Sequence, residues 1–225
     1  MKIKRTKLVD RKLPNYTKGE EIMNMVSHIV GGAIGVAALI LCIIFACIHH
    51  DGYALAGGIV FGISMILLYT ISSVYHGLKK EMPKKVMQVI DHCTIFVLIA
   101  GTYTPILLCA VRKYNAPLAW TLFGLIWGFA VLGITLNAID LKKYKVFSMI
   151  CYLLMGWCII FTAPHLTEWL GIGGTKLLVW GGIAYTVGAI LYLIGSKKHY
   201  FHFVFHVFVD IGSLLHFLCI LLYVI

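Results

Sequence analysis

Apolar runs of spanning length recur along this chain, separated by short polar or charged breaks, and that pattern sets its class before any other feature. A helix needs roughly 20 apolar residues to cross a ~30 Å hydrocarbon layer. Seven stretches meet the requirement: 22–48, 53–78, 88–111, 116–139, 145–164, 175–195 and 201–225. The break between the fifth and sixth is the least sharp, because Gly171, Gly173 and Gly174 blur it. These stretches use almost the whole chain. The expected fold class is therefore all-α and integral to the membrane: a seven-transmembrane helix bundle over 22–225 behind a basic segment at 1–21, with no separate soluble domain. Composition agrees, with 60% hydrophobic and 12% charged residues and a mean hydropathy of +0.91.

The formal net charge of +10 raises the question of nucleic acid, but the placement of the basic residues argues for membrane topology instead. Of 19 Lys and Arg, 16 lie before the first stretch or in and at the edge of the breaks after the second, fourth and sixth, Lys145 being the edge residue. The remaining three, Arg112, Lys113 and Lys176, lie in or at the edge of the other breaks. The positive-inside rule then puts the N-terminus in the cytoplasm and, with an odd number of crossings, the C-terminus outside. The expectation is a multi-pass plasma-membrane protein with no nucleic-acid partner. A secretory signal is not expected, since the basic segment is long and the apolar stretch after it is of spanning length. All seven cysteines fall within the stretches and none shows a CxxC spacing, so they read as buried thiols rather than a disulfide framework.

With orientation set, the intramembrane polar residues can be assigned a depth, and they gather in one layer. Glu21, Asn24 and His28 open the first stretch, Ser72 and His76 close the second, Asp91 and His92 open the third, and His202, His206 and Asp210 open the seventh. Each of those ends is the cytoplasmic one. Ionisable groups at such depth must face protein, water or metal. Residues three, four and seven apart share a helix face, so Glu21/Asn24/His28, Ser72/His76 and His202/His206/Asp210 form three stripes. His216 lies 14 residues beyond His202, about 21 Å along a helix, and is not expected at the same site.

Two histidines at i and i+4 can turn ring nitrogens toward one ion, and a third from a neighbouring helix completes a three-nitrogen set of the kind catalytic zinc sites use. His76 has the matching depth. Asp91 and Ser72 are then the candidate catalytic pair, hydrogen-bonding the activated water, with the carboxylate taking its proton. Glu21, Asn24, His28 and Asp210 would support the ligands from outside. Zn2+ is the favoured ion, although imidazole also suits other transition metals. On the residues alone, three readings stand: a shared metal site, a proton or ion relay through the same groups, and unlinked interhelical hydrogen bonds. His49, His50, His165 and His199 read as solvated loop residues, and Asp140 and Glu168 as flanking charges. Gly31/Gly35, Gly58/Gly62 and Gly124/Gly128 have GxxxG spacing and predict close helix packing. Pro105 predicts a kink in the third span, and the five tryptophans mostly lie near span ends, as interfacial anchors would.

"EIMNMVSH" at 21–28, "SSVYH" at 72–76, "DHCTIFVLIAGTYTP" at 91–105 and "HFVFHVFVDIGSLLHF" at 202–217 together resemble the hemolysin III family, bacterial relatives of the progestin and adipoQ receptors. The resemblance covers nearly the full chain in four motifs. It implies a seven-helix fold with a cytoplasmic N-terminus. It also implies zinc ligands at His76, His202 and His206 and water-associated residues at Ser72 and Asp91. Through the receptor branch and similar ceramidases, it implies hydrolysis of lipid amides, with membrane lipids as substrate or ligand. The bacterial name implies a rival activity, cytolysis by pore formation or membrane perturbation, and a sensor with structural zinc is a third expectation. Phe203 stands where many relatives have a polar residue, and Asp210 matches no family position. The sequence leaves the substrate and oligomeric state open.

Overall fold

The computed structural model describes residues 5–195 and 198–225; Lys2, Lys4 and Lys197, which enter the charge argument, lie outside them. The chain forms α1 (Lys18–Ile48), α2 (Gly52–Gly77), α3 (Glu81–Pro105), α4 (Arg112–Tyr114), α5 (Ala116–Trp157), α6 (Ala163–Gly195) and α7 (Phe201–Tyr223). No β-strand occurs among the described residues. Among the described residues, six helical segments are long and apolar enough to cross a membrane, α3 and α4 counting as one.

Local chemistry sets several boundaries. Thr17 and Glu20 cap α1 reciprocally in a capping box, which satisfies two of the amides that a helix start leaves open. The Asp51 carboxylate accepts from the amides of Tyr53 and Ala54 at the start of α2. Pro105 has no amide hydrogen to donate back along α3. The helix answers not with a simple kink but by widening into a π-helix over Ile106–Val111, which α4 continues. The glycine-rich break expected near 165–174 is instead helical, interrupted at Gly171, whose φ of 67° favours a residue without a Cβ.

α5 is where the secondary structure hides a reversal. Asp140 has non-helical backbone angles inside it. In a straight helix, Asn137 and Tyr152 would stand about 22 Å apart. Yet the Asn137 side-chain Nδ2 donates to the Tyr152 hydroxyl at 3.4 Å, and the Ser148 hydroxyl donates to Asn137 Oδ1 at 2.6 Å. The chain therefore turns back at Asp140, and 141–157 runs antiparallel to 116–139. The turn carries more than a flanking charge. The Asp140 carboxylate is buried, and it accepts from the amides of Lys143 and Thr6.

Small residues set the register that positions the polar layer. A Cβ on Gly31 would collide with the Tyr69 ring, one on Gly35 with Met65, one on Gly62 with Leu39 and one on Gly58 with Cys42. Each step along α1 is matched by an equal step back along α2. Continued one and two turns toward the start of α1, that antiparallel register sets Ser72 level with His28 and His76 level with Asn24. The expected close packing at these two GxxxG pairs is present. Gly124 and Gly128 differ, since an added Cβ would meet nothing within 4 Å and the pair faces outward. Nor are all tryptophans peripheral anchors: Trp127 and Trp157 donate indole N–H bonds to Thr104 and Thr186 across helices.

Candidate metal centre

Three imidazoles from two helices meet at the end of the bundle where α1 and α7 begin and α2 ends. One ligand-capable atom from each of His76, His202 and His206 lies within 4.8 Å of the other two. The Nε2 atoms of His202 and His206 are 3.1 Å apart, which the i, i+4 spacing on α7 produces. A tetrahedral ion with bonds of about 2.0–2.1 Å needs nitrogens roughly 3.3 Å apart.

Outer hydrogen bonds decide which nitrogens are available. His76 Nδ1 lies 2.7 Å from the Glu21 carboxylate. His206 Nδ1 lies 3.2 Å from both the Asn24 carbonyl and the Ser27 hydroxyl, and that hydroxyl donates to the same carbonyl. Carboxylate and carbonyl oxygens only accept, so both Nδ1 atoms carry the proton and both Nε2 atoms present lone pairs. His76 Nε2 is buried with no hydrogen-bond partner. An orphaned acceptor in that position costs stability unless something electrophilic meets it. A divalent cation, for which neutral imidazole is a common ligand, fits the donor set.

Glu21 is itself held by Lys84, whose ammonium is 2.7 Å from the other carboxylate oxygen and also donates to the Leu78 carbonyl at 3.1 Å. The sequence reading took Lys84 for one charge of a basic loop, but it is buried. It missed Ser27 as well. Asn24 and His28 fall where the stripe predicts. Asn24 reaches His76 with its side chain at 3.5 Å, and the His28 ring stacks on His206 at a centroid distance of 3.6 Å. Both His28 nitrogens and Asn24 Oδ1 are buried and unpartnered. Asp210 lies one turn beyond His206, its carboxyl converging with the Tyr69 ring on Gly31 and its Oδ1 buried without a hydrogen-bond partner.

Ser72 on α2 and Asp91 on α3 face the same cavity, and His92 Nδ1 is 3.5 Å from the Asp91 carboxylate. Both line a cavity of about 160 Å³ with His202 and His206. The cavity continues past Leu98, Ile99 and Leu153 to His216, whose Nε2 donates to the Leu178 carbonyl at 3.0 Å. His216 is thus remote from the other histidines, as its spacing predicts, yet it borders the same cavity at the far end. Of the histidines read as loop residues, His49 bonds the Ile225 carbonyl at 2.8 Å, His199 pairs with Glu20 at 3.3 Å, and His165 lies on α6 beside Glu168. Tyr16, ahead of α1, stacks on His202. Burial, then the nearby Tyr192, Glu21 and Asp91, hold its phenol above the usual tyrosine range, so it stays protonated.

A sequence profile described as Haemolysin-III related matches residues 16–217. The chain belongs to this family. Among haemolysin-III relatives, it is 40% identical over 205 residues to Hemolysin-3 of Bacillus cereus, covering 91% of this chain and 92% of that protein. It is 38% identical over 208 residues to the Hemolysin-3 homolog of Bacillus subtilis, covering 92% and 96%. Monocyte to macrophage differentiation factor of Homo sapiens is 26% identical over 170 residues, covering 72% and 67%, which supports the wider progestin and adipoQ receptor resemblance. As a haemolysin-III protein with six long apolar helices, the chain is a multi-pass membrane protein.

Proposed function

We propose that this protein is a zinc-dependent hydrolase of a lipid amide or ester, crossing the plasma membrane seven times with its metal centre beneath the cytoplasmic leaflet. The 47-residue segment Ala116–Thr162 would be about 70 Å long as one helix, more than twice the hydrocarbon thickness. Its reversal at Asp140 supports two crossings there. The basic breaks then share one side, which supports an N-terminus inside and a C-terminus outside.

The observation that carries the activity is the cluster of His76, His202 and His206, the last two of which line an apolar cavity together with Ser72 and Asp91. Zn2+ held by the three imidazoles would act as a Lewis acid and make water a better nucleophile. The protein's own groups supply the rest. Glu21 and the Asn24 carbonyl fix the tautomers of His76 and His206. The apolar middle of the cavity takes a hydrocarbon chain and excludes bulk water. The Asp91 carboxylate accepts a proton from the attacking water and returns it to the leaving nitrogen or oxygen, so that one water is consumed per bond cleaved. Ser72 holds that carboxylate in place.

The test is metal content and turnover of the purified protein in lipid nanodiscs against a panel of ceramides and phospholipid esters. Zinc-dependent product release supports the reading; a zinc-loaded protein inert toward the whole panel overturns it. A second reading, membrane perturbation, is favoured by the Hemolysin-3 name of the two bacillar relatives. Conductance steps across a planar bilayer at defined protein concentration would support it, and a silent bilayer would count against it.

A further inference from the structure

His76 and His206 are each oriented by an oxygen acceptor at Nδ1, but His202 has no hydrogen bond at Nδ1 among the described residues. Aromatic rings hold it instead. Tyr16 lies flat on it, with centroids 5.0 Å apart and planes at 22°, and Tyr192 stands 5.7 Å away and tilted. Tyr16 is also 6.0 Å from His76 and so covers two ligands at once.

Tyr16 belongs to no helix, and its position depends on how the segment before α1 is tied down. The Thr6 amide donates to the buried Asp140 carboxylate at 2.8 Å. The buried Lys85 ammonium donates to the Val9 carbonyl at 2.7 Å. The capping box at Thr17 and Glu20 fixes the join to α1, and Glu20 accepts from the Tyr200 amide at 2.7 Å. Residues 5–17 therefore form a strap anchored at the turn within α5, at the start of α3 and at the start of α1. From α2 and α7 the His202 ring meets His76, Phe205 and His206 only at tilted angles, and Tyr16 of the strap is the ring that stacks on it.

We infer that Tyr16 is a positioning residue of the metal centre: the N-terminal strap clamps it onto His202, where it replaces the missing outer hydrogen bond and makes metal release wait for the strap to lift. The inference rests on the zinc reading of the three histidines. An imidazole free to turn about χ1 and χ2 is a weaker ligand than one held in its binding rotamer. Stacking, not the hydroxyl, supplies the hold, so phenylalanine should serve as well as tyrosine. Lys85 holds the strap at Val9 and pairs with Glu81 on its own helix, and belongs to no part of the histidine cluster.

The experiment loads the full-length protein with zinc in nanodiscs and follows transfer to excess EDTA with a zinc indicator. Tyr16→Ala and Lys85→Met are expected to release zinc about tenfold faster, the factor corresponding to one aromatic stacking contact. Tyr16→Phe should stay within about twofold of wild type, which a role for the hydroxyl would not allow. Release from Tyr16→Ala at the wild-type rate, with one zinc bound per chain, overturns the inference and leaves the metal site standing. A wild-type protein that takes up no zinc overturns the underlying reading as well. Lys85→Met serves where Tyr16→Ala fails to fold, and an unchanged rate in it likewise counts against the strap.

Discussion

Replacing Glu21 by glutamine tests how the metal site is tuned. The side chain keeps its length and an oxygen that can still accept from His76 Nδ1, but it loses the charge that the 2.7 Å contact exploits. Hydrogen bonds to charged groups contribute about 1.5–3 kcal/mol, and at about 1.4 kcal/mol per factor of ten that is roughly 10–100-fold in affinity. Removing outer partners of ligating histidines has cost about the same factor elsewhere. Lys84 would be left beside a neutral amide, with its ammonium still bonded to the Leu78 carbonyl, so a further loss of fold stability is expected. Zinc competition against a chelator of known affinity, on Glu21→Gln and wild type at one pH, gives the number. Wild-type affinity in a folded Glu21→Gln would refute the argument, because His76 could not then be ligating through an Nε2 made basic by the carboxylate.

Other substitutions separate chemistry, cavity and packing. Asp91→Asn should keep one zinc per chain while turnover of the best lipid substrate falls by about 10²–10⁴, read by product chromatography and metal analysis of the same sample. Ala189→Phe, on the cavity wall, should lower the lipid that co-purifies, by mass spectrometry, without loss of zinc. Gly133→Ala would drive a methyl into the buried Phe96 ring, and a drop of about 1–3 kcal/mol is expected in detergent unfolding. Gly124→Ala, with open space around it, should be neutral or stabilise by up to about 1 kcal/mol in the same assay.

The sequence made the ligand cluster legible because two independent signals coincide there. Spacing put His202 and His206 on one face, and the charge distribution put His76 at the same depth. Glu21, Asn24 and His28 were found by the same rule of shared faces. Asp210 shows where that rule stops. A stripe along one helix names a face, not the helix opposite each turn, and the turn at Asp210 meets Tyr69 and Gly31. Lys84 was hidden by the topological count, which sorts charges by side and ignores burial. Tyr16, like Asp140, depends on contacts about 130 or more residues apart in the chain, which no local pattern carries. The proline itself was legible, but its close packing against Gly57 of α2 is a contact between two helices that no local pattern carries.

Zinc-edge X-ray absorption on the purified wild-type protein tests the central claim most directly. One zinc per chain with three nitrogen neighbours at about 2.0–2.1 Å is expected, with loss of that imidazole signature in His76→Ala. A well-folded protein that excludes zinc, or a zinc shell built of sulfur or of oxygen alone, would contradict it.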